Sequence, residues 1–334
     1  MNKSDVEVKQ PPVLFEKTQE LIPKLEERLN GVFLTYWNST NGSVCGNDVI
    51  GFYEVLNHIG KTDTLYLFIK SDGGNGTVAL RIVNLLRNYA KKIIVLIPLE
   101  CASAATMMAL GSDKILMGPL SYLTAVDTSI THSLSPMDKY NNKVSVSLDE
   151  VSRLLNLWNE QENEQAENPY KFLYDHIHPL VIGAVDRASS LSIRLCKEIL
   201  SFHIESEEEA KRISEVLNSE YPSHSYPITM REAQRIGLNV DSLDPDVNDL
   251  LLDLNECYSE MGQIALTDYD ENNYHNNEIL NILEGNSIQI FYQNDKDWHY
   301  RNEERRWVPM NDESGWHKII KEGDEIKKSM LYVR

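Results

Sequence analysis

Apolar and polar positions follow two different periods along the first third of the chain. Over residues 13–29 the apolar residues Leu14, Leu21, Ile22, Leu25 and Leu29 recur at helical spacing with charges between them, and Asn30-Gly31 closes the pattern. Residues 32–37, 64–69 and 92–97 are instead short apolar runs with almost no alternation, as in strands buried on both faces of a parallel sheet. Residues 48–59 and 77–90 read as the helices between them, and 114–117 as one more strand, closed by Gly118-Pro119. Strand and helix alternating over short links predict an α/β fold of stacked βα units on a largely parallel sheet.

After Ser121 the pattern changes. Residues 124–143 are polar and loop-like, while 144–157, 179–202 and 205–218 read as helices inserted into the α/β layer. Between the first two of these, 159–168 is an acidic, solvated stretch; 221–226 is a turn cluster, and 228–236 a short helix stopped by Gly237. A helix over 247–261 leads into a polar linker and a late strand at 288–292. Trp298, Trp307 and Trp316 then fall in a tail that reads as a small β-containing appendage, with core aromatics rather than a binding face. The expected organisation is a flexible leader at 1–12, a main domain with its N-terminal helix at 13–245, an acidic helix and linker at 246–278, and the appendage at 279–334.

Composition narrows the function classes. At 42% hydrophobic and 25% charged residues the chain is globular rather than disordered. A net charge of -19 excludes a nucleic-acid surface, which needs clustered Lys and Arg, and disfavours anionic membranes. No apolar run reaches the roughly 18 residues of a membrane helix. Cys45, Cys101, Cys196 and Cys257 are far apart and form no ligand pattern, and residues 1–10 are polar, so reduced thiols in the cytoplasm are expected. Asp268-Tyr269-Asp270 imitates the start of a calcium loop, but Asn273 replaces its glycine and Ile279 its bidentate glutamate, so no metal is expected.

Two loops carry candidate chemistry. Ser71-Asp72-Gly73-Gly74-Asn75-Gly76 links a buried strand to a helix, and its glycines free backbone N–H groups to face an anion or oxyanion. It lacks the lysine of a phosphate loop and the spacing of a dinucleotide loop. One βα unit later, Ser103 stands where a strand ending at Pro98 hands over to the uncharged run Ala104-Ala105-Thr106-Met107-Met108-Ala109-Leu110. Alone, Ser103 is an ordinary helix cap. Successive loops at the carboxyl ends of parallel strands lie side by side, however, and a hydroxyl beside glycine amides is what acyl transfer requires.

The run from Val95-Leu96-Ile97-Pro98 through Ser103-Ala104-Ala105-Thr106 to Gly118-Pro119 resembles the Clp/crotonase-fold serine peptidases, in particular the serine dehydrogenase proteinase family related to signal peptide peptidase A. The helix containing Leu21-Ile22-Pro23-Lys24-Leu25-Glu26, and His224-Ser225-Tyr226-Pro227-Ile228-Thr229-Met230-Arg231-Glu232-Ala233 with Gly237-Leu238, extend the likeness over about residues 15–260. The resemblance implies a Clp/crotonase-like fold, Ser103 as nucleophile, and oxyanion donors at Gly74 and Ala104 with Gly73 shaping the turn. Two departures stand out. The family's Pro-Gly-Gly is Asp72-Gly73-Gly74 here, and its Ser-Ala-Gly is Ser103-Ala104-Ala105.

The general base stays open between residues. A Clp-type histidine would fall on Val126, next to Asp127, so a triad in that arrangement is not expected. Relatives that use a lysine place it some forty residues after the serine, which points to Lys143, with Lys139 as the fallback. His224 lies near where Clp proteases keep their triad aspartate, and His132 is a weaker candidate. The implied function is a serine endopeptidase acting on peptides or unfolded segments as a chambered homo-oligomer, needing no metal or nucleotide. A catalytically weak scaffold is the alternative; acyl-CoA chemistry ranks last, because no basic residues are positioned for a CoA phosphate.

Overall fold

The computed structural model describes residues 6–139, 142–159 and 168–333. The first residues of the leader and most of the acidic stretch at 159–168 lie outside the described residues. The chain divides into two compact units, one formed by Met1–Leu123 with Ile228–Arg334, the other by Thr124–Pro227.

The first unit begins with α1 (Phe15–Leu29), whose buried Phe15, Thr18, Ile22 and Leu25 form a single stripe and whose end is capped by Asn30 in the left-handed region. Then follow β1 (Val32–Asn38), α2 (Asp48–Ile59), β2 (Thr62–Lys70), α3 (Gly76–Tyr89), β3 (Ala90–Ile97), β4 (Glu100–Cys101), α4 (Ala104–Leu110), β5 (Lys114–Met117) and β6 (Tyr122–Leu123). β1, β2, β3 and β5 pair in parallel in that order, with Leu34 opposite Leu67 and Leu67 opposite Val95. Their apolar runs lie inside a two-sided layer, which is why they show no alternation. The α/β class with stacked βα units stands as expected.

The second unit carries β7 (Ser129–Ile130), β8 (Val146–Ser147), α5 (Leu148–Asn159), α6 (Pro169–His176), α7 (Pro179–Leu200) and α8 (Glu207–Ser219). The inserted helices are present, and Val146, Val151, Leu173, Val181 and Val185 give this unit a small core of its own.

The chain returns to the first unit through α9 (Met230–Arg235), β9 (Val240–Ser242), which adds in parallel to β5, and α10 (Pro245–Met261). The final segment is β10 (Ala265–Asp270), β11 (Asn273–Gly285), β12 (Ile288–Arg301), β13 (Arg306–Asp312), β14 (Gly315–Glu322) and β15 (Glu325–Leu331). Here the expected boundaries need correction. Residues 265–270 and 273–278, read as linker, are strand, and the appendage is no separate body. β11 pairs antiparallel with β1, so one sheet runs β15-β14-β12-β11-β1-β2-β3-β5-β9. One core joins Phe15, Ile22, Trp37 and Phe68 to Ile282, Phe291 and Ile319.

Polarity hid these strands. Asn273-Tyr274-His275-Asn276-Asn277 reads as solvated, yet His275 Nδ1 lies 3.1 Å from Asp297 Oδ1 and Asn277 donates to Asp295 at 3.0 Å across the β11–β12 pair. Cross-strand polar pairing replaces apolar burial along this stretch. Among the described residues no helix is long and apolar enough to cross a membrane.

Candidate active site

The Ser103 corner is built from short pairings in the first unit. Val44 bridges Gly74, Ser71 bridges Cys101, Cys101 pairs with Leu123, and Leu123 bridges Ile228. Residues 71–75 thus run between the Val44 segment on one side and the strand leading to Ser103 on the other. The two loops that the sequence analysis placed side by side are joined by backbone hydrogen bonds: Ser71 N–H donates to Glu100 O at 3.2 Å, and Ala102 N–H to Ser71 O at 2.9 Å.

Ser103 has φ 52° and ψ -119°, a conformation that L side chains rarely adopt. Ala105 N–H donates to Ala102 O at 2.9 Å, closing a type II′ turn with Ser103 at the position that glycine ordinarily fills. Holding serine there costs about 1–3 kcal/mol, a strain that clusters at functional sites. The turn is secured by the Thr106 hydroxyl on Cys101 O at 2.8 Å and by Met107 N–H on Ser103 O at 3.1 Å. Although Ser103 precedes α4, its hydroxyl makes no capping hydrogen bond to that helix. The ordinary-cap reading therefore fails.

Gly73 and Gly74 are glycines for separate reasons. Gly73 has φ 99°, and a Cβ there would lie 2.6 Å from both Ser103 Cβ and Ala102 O and 2.9 Å from Ala104 N. Gly74 has φ 147°, and its Cβ would lie 2.5 Å from Val44 O. Gly73 N–H donates to Ser71 Oγ at 3.1 Å, so this amide is committed and Gly73 is a shaper of the turn, not a donor to a ligand. Val44 N–H donates to Gly73 O at 2.8 Å and Asn75 N–H to Val44 O at 2.9 Å. In such a parallel bridge the flanking residues make the bonds, so the Gly74 N–H faces away from the Val44 segment. Among the described residues, neither Gly74 nor Ala104 donates its N–H to a backbone carbonyl outside regular elements.

Around this corner lies a polar support that sequence reasoning missed. Buried Ser71, whose hydroxyl accepts from Gly73, itself donates to the side-chain oxygen of buried Asn38. Lys70, buried at the end of β2, donates to Asn38 O at 3.0 Å, lies 3.0 Å from Glu100 Oε1 and sits over the Trp37 ring. A lysine closing an otherwise apolar strand was the one visible signal. Asp72 is exposed beside Gly73. Burial, with help from Glu100 and Asp72, raises the Tyr122 phenol above its ordinary range. Burial also pushes the Cys101 thiol far up and the Cys196 thiol to about 12, which leaves both too protonated to act as nucleophiles.

The base candidates belong to the second unit. Lys143 is exposed and bridges Met137, and Lys139 is also exposed. His132 Nδ1 accepts from Leu134 N–H at 3.1 Å, an engagement internal to its own turn. His224 has the partner that a catalytic histidine needs: its Nδ1 lies 2.8 Å from Asp127 Oδ1. That hydrogen bond is the main reason its imidazole is held above the ordinary histidine range.

No family model matches the chain. It is 25% identical over 194 residues to uncharacterized protein MJ0137 of Methanocaldococcus jannaschii, covering 58% of this chain and 59% of that one. To uncharacterized protein MJ1495 of the same organism it is 24% identical over 181 residues, covering 54% and 52%. The chain thus spans little more than half the length of these curated relatives. Among solved structures it is similar to a mutant of the 1510-N membrane-bound stomatin-specific protease in complex with a substrate peptide, at TM-score 0.37 and 15% identity over 61% of this chain and 73% of that one. It is also similar to ClpP1 from Listeria monocytogenes, at TM-score 0.35 and 12% identity over 70% and 99%.

Proposed function

We propose that this protein is a serine peptidase that cleaves peptides or unfolded protein segments through an acyl-enzyme on Ser103. One observation carries the reading: a serine held at positive φ in a turn packed against a glycine that has no room for a side chain. Strain of this kind persists where the surroundings over-determine it and clusters at functional sites, which supports a chemical role for this hydroxyl.

In this reading Ser103 Oγ attacks the peptide carbonyl carbon while a base takes its proton, and the oxygen that gains charge is met by the Gly74 and Ala104 amides. Collapse of the tetrahedral species breaks the C–N bond, and the base returns its proton to the leaving amine. Water then attacks the ester by the same path in reverse order. Of the two bases proposed, Lys143 and His224, the Asp127 pairing favours His224. In the same reading the chain assembles as a cytoplasmic homo-oligomer whose chamber admits only unfolded substrate.

The test is hydrolysis of a fluorogenic peptide library by wild-type protein and by Ser103→Ala. The expected result is cleavage that falls at least about 10³-fold in the variant. Equal residual rates in both would overturn the reading and favour a scaffold.

A further inference from the structure

The support beneath the Gly73–Gly74 loop leads to a buried carboxylate that the mechanism above does not use. Asp48, at the start of α2, has no exposed surface. Its Oδ2 accepts from the Tyr36 hydroxyl at 2.6 Å and from Cys45 N–H at 2.7 Å, and its Oδ1 accepts from Asn281 Nδ2 at 2.8 Å. Asn281 Nδ2 also donates to Ser43 O at 2.9 Å. Asp48 and Asn281 therefore grip residues 43 and 45 on either side of Val44. Val44 in turn bonds Gly73 O and Asn75 N and leaves no room for a side chain on Gly74.

We propose that Asp48 and Asn281 are positioning residues for the peptidase site, fixing through residues 43–45 where the Gly74 amide points. This rests on the reading of Ser103 as nucleophile and deepens it. The donors to Asp48, the Cys45 thiol among them, are neutral, and burial pushes its carboxyl up to about 6. A buried carboxylate held by neutral donors is a costly way to stabilise a loop and a good way to fix one geometry. Asn281 lies on β11, so a C-terminal strand reaches the Gly73–Gly74 loop through this side chain. The sheet register places Asn281 opposite Asn38, which also holds Ser71. Both inputs to the Gly73–Gly74 loop thus come from one cross-strand pair.

Wild type, Asn281→Ala and Tyr36→Phe are compared by the rate of fluorophosphonate labelling at Ser103 and by kcat and KM on a peptide, with melting curves to establish folding. Asn281→Ala is expected to slow labelling and to lower kcat about 10-fold while KM stays within about 2-fold, since a loop misplacement of this kind weakens transition-state contacts and leaves ground-state binding alone. A folded Asn281→Ala protein that labels and turns over at the wild-type rate overturns the proposal, as does a loss confined to KM. Should Asn281→Ala not fold, the volume-conserving Tyr36→Phe decides in the same way: slower labelling supports the proposal, and an unchanged rate overturns it. Absence of labelling in wild type instead removes the reading of Ser103, and the proposal with it.

Discussion

At the scale of single residues, the strongest feature is the fit between Gly73 and Ser103. Ser103 occupies a glycine-type turn position, and Gly73 cannot carry a Cβ because Ser103 Cβ would lie 2.6 Å away. This adjacency was legible in the sequence, because a β-strand, a glycine loop and a helix repeated once must bring successive loops together. Ser71, Asn38, Asp48 and Asn281 were not legible. A buried polar side chain announces itself only through partners far along the chain, and Asn281 meets Asp48 across more than 230 positions. The residue-scale prediction concerns His224. As a base it must be neutral, and Asp127 holds its imidazole above the ordinary value of 6.5. Peptidase activity should rise with pH through a midpoint above that value. Asp127→Asn should move the midpoint down, because the main cause of the shift is removed. An unchanged midpoint in a pH–rate profile of kcat/KM would exclude His224 from this role.

At the scale of elements, the parallel strands were easy to read and the antiparallel ones hard. β2 and β3 bury continuous apolar runs, whereas the outer half of β11 buries asparagines and a histidine against aspartates on β12. A periodicity of hydrophobicity cannot detect a strand whose inward face is polar and internally paired. The same strand carries Glu284, fully buried, which accepts hydrogen bonds from Thr18 and Gln19 on α1, Tyr258 on α10 and Gln289 on β12. Burial outweighs these four donors and raises its carboxyl to about 7 from 4.5. The folded chain therefore binds this proton more tightly than the unfolded chain does. The associated stability is fully present below pH 4.5 and is lost as pH rises through 7, a change of at most about 3 kcal/mol. Glu284→Gln should remove that slope between pH 5 and 8. At pH 5, where the carboxyl already carries its proton, the amide replaces a neutral group of the same shape, and the variant should lie within about 1 kcal/mol of wild type. Urea denaturation at the two pH values reads both effects, and a slope equal to wild type would refute the assignment.

At the scale of the whole molecule, the two compact units divide the candidate machinery. Ser103, Gly73 and the amides of Gly74 and Ala104 belong to the unit built on the eleven-stranded sheet, while Lys143 and the His224–Asp127 pair belong to the helical unit. The order of βα units and the helical insertion were readable in advance, because each has its own local period. The closure of the sheet by the C-terminal strands was not, because β1 gives no sign in its own sequence of which strand lies on its free side. Whether Ser103 is an activated nucleophile is read by reacting the full chain with a fluorophosphonate and mapping the labelled peptides in a mass spectrometer. One adduct is expected, on Ser103 and absent from Ser103→Ala. A folded protein that acquires no adduct, or acquires it on another serine, would overturn the role proposed for Ser103.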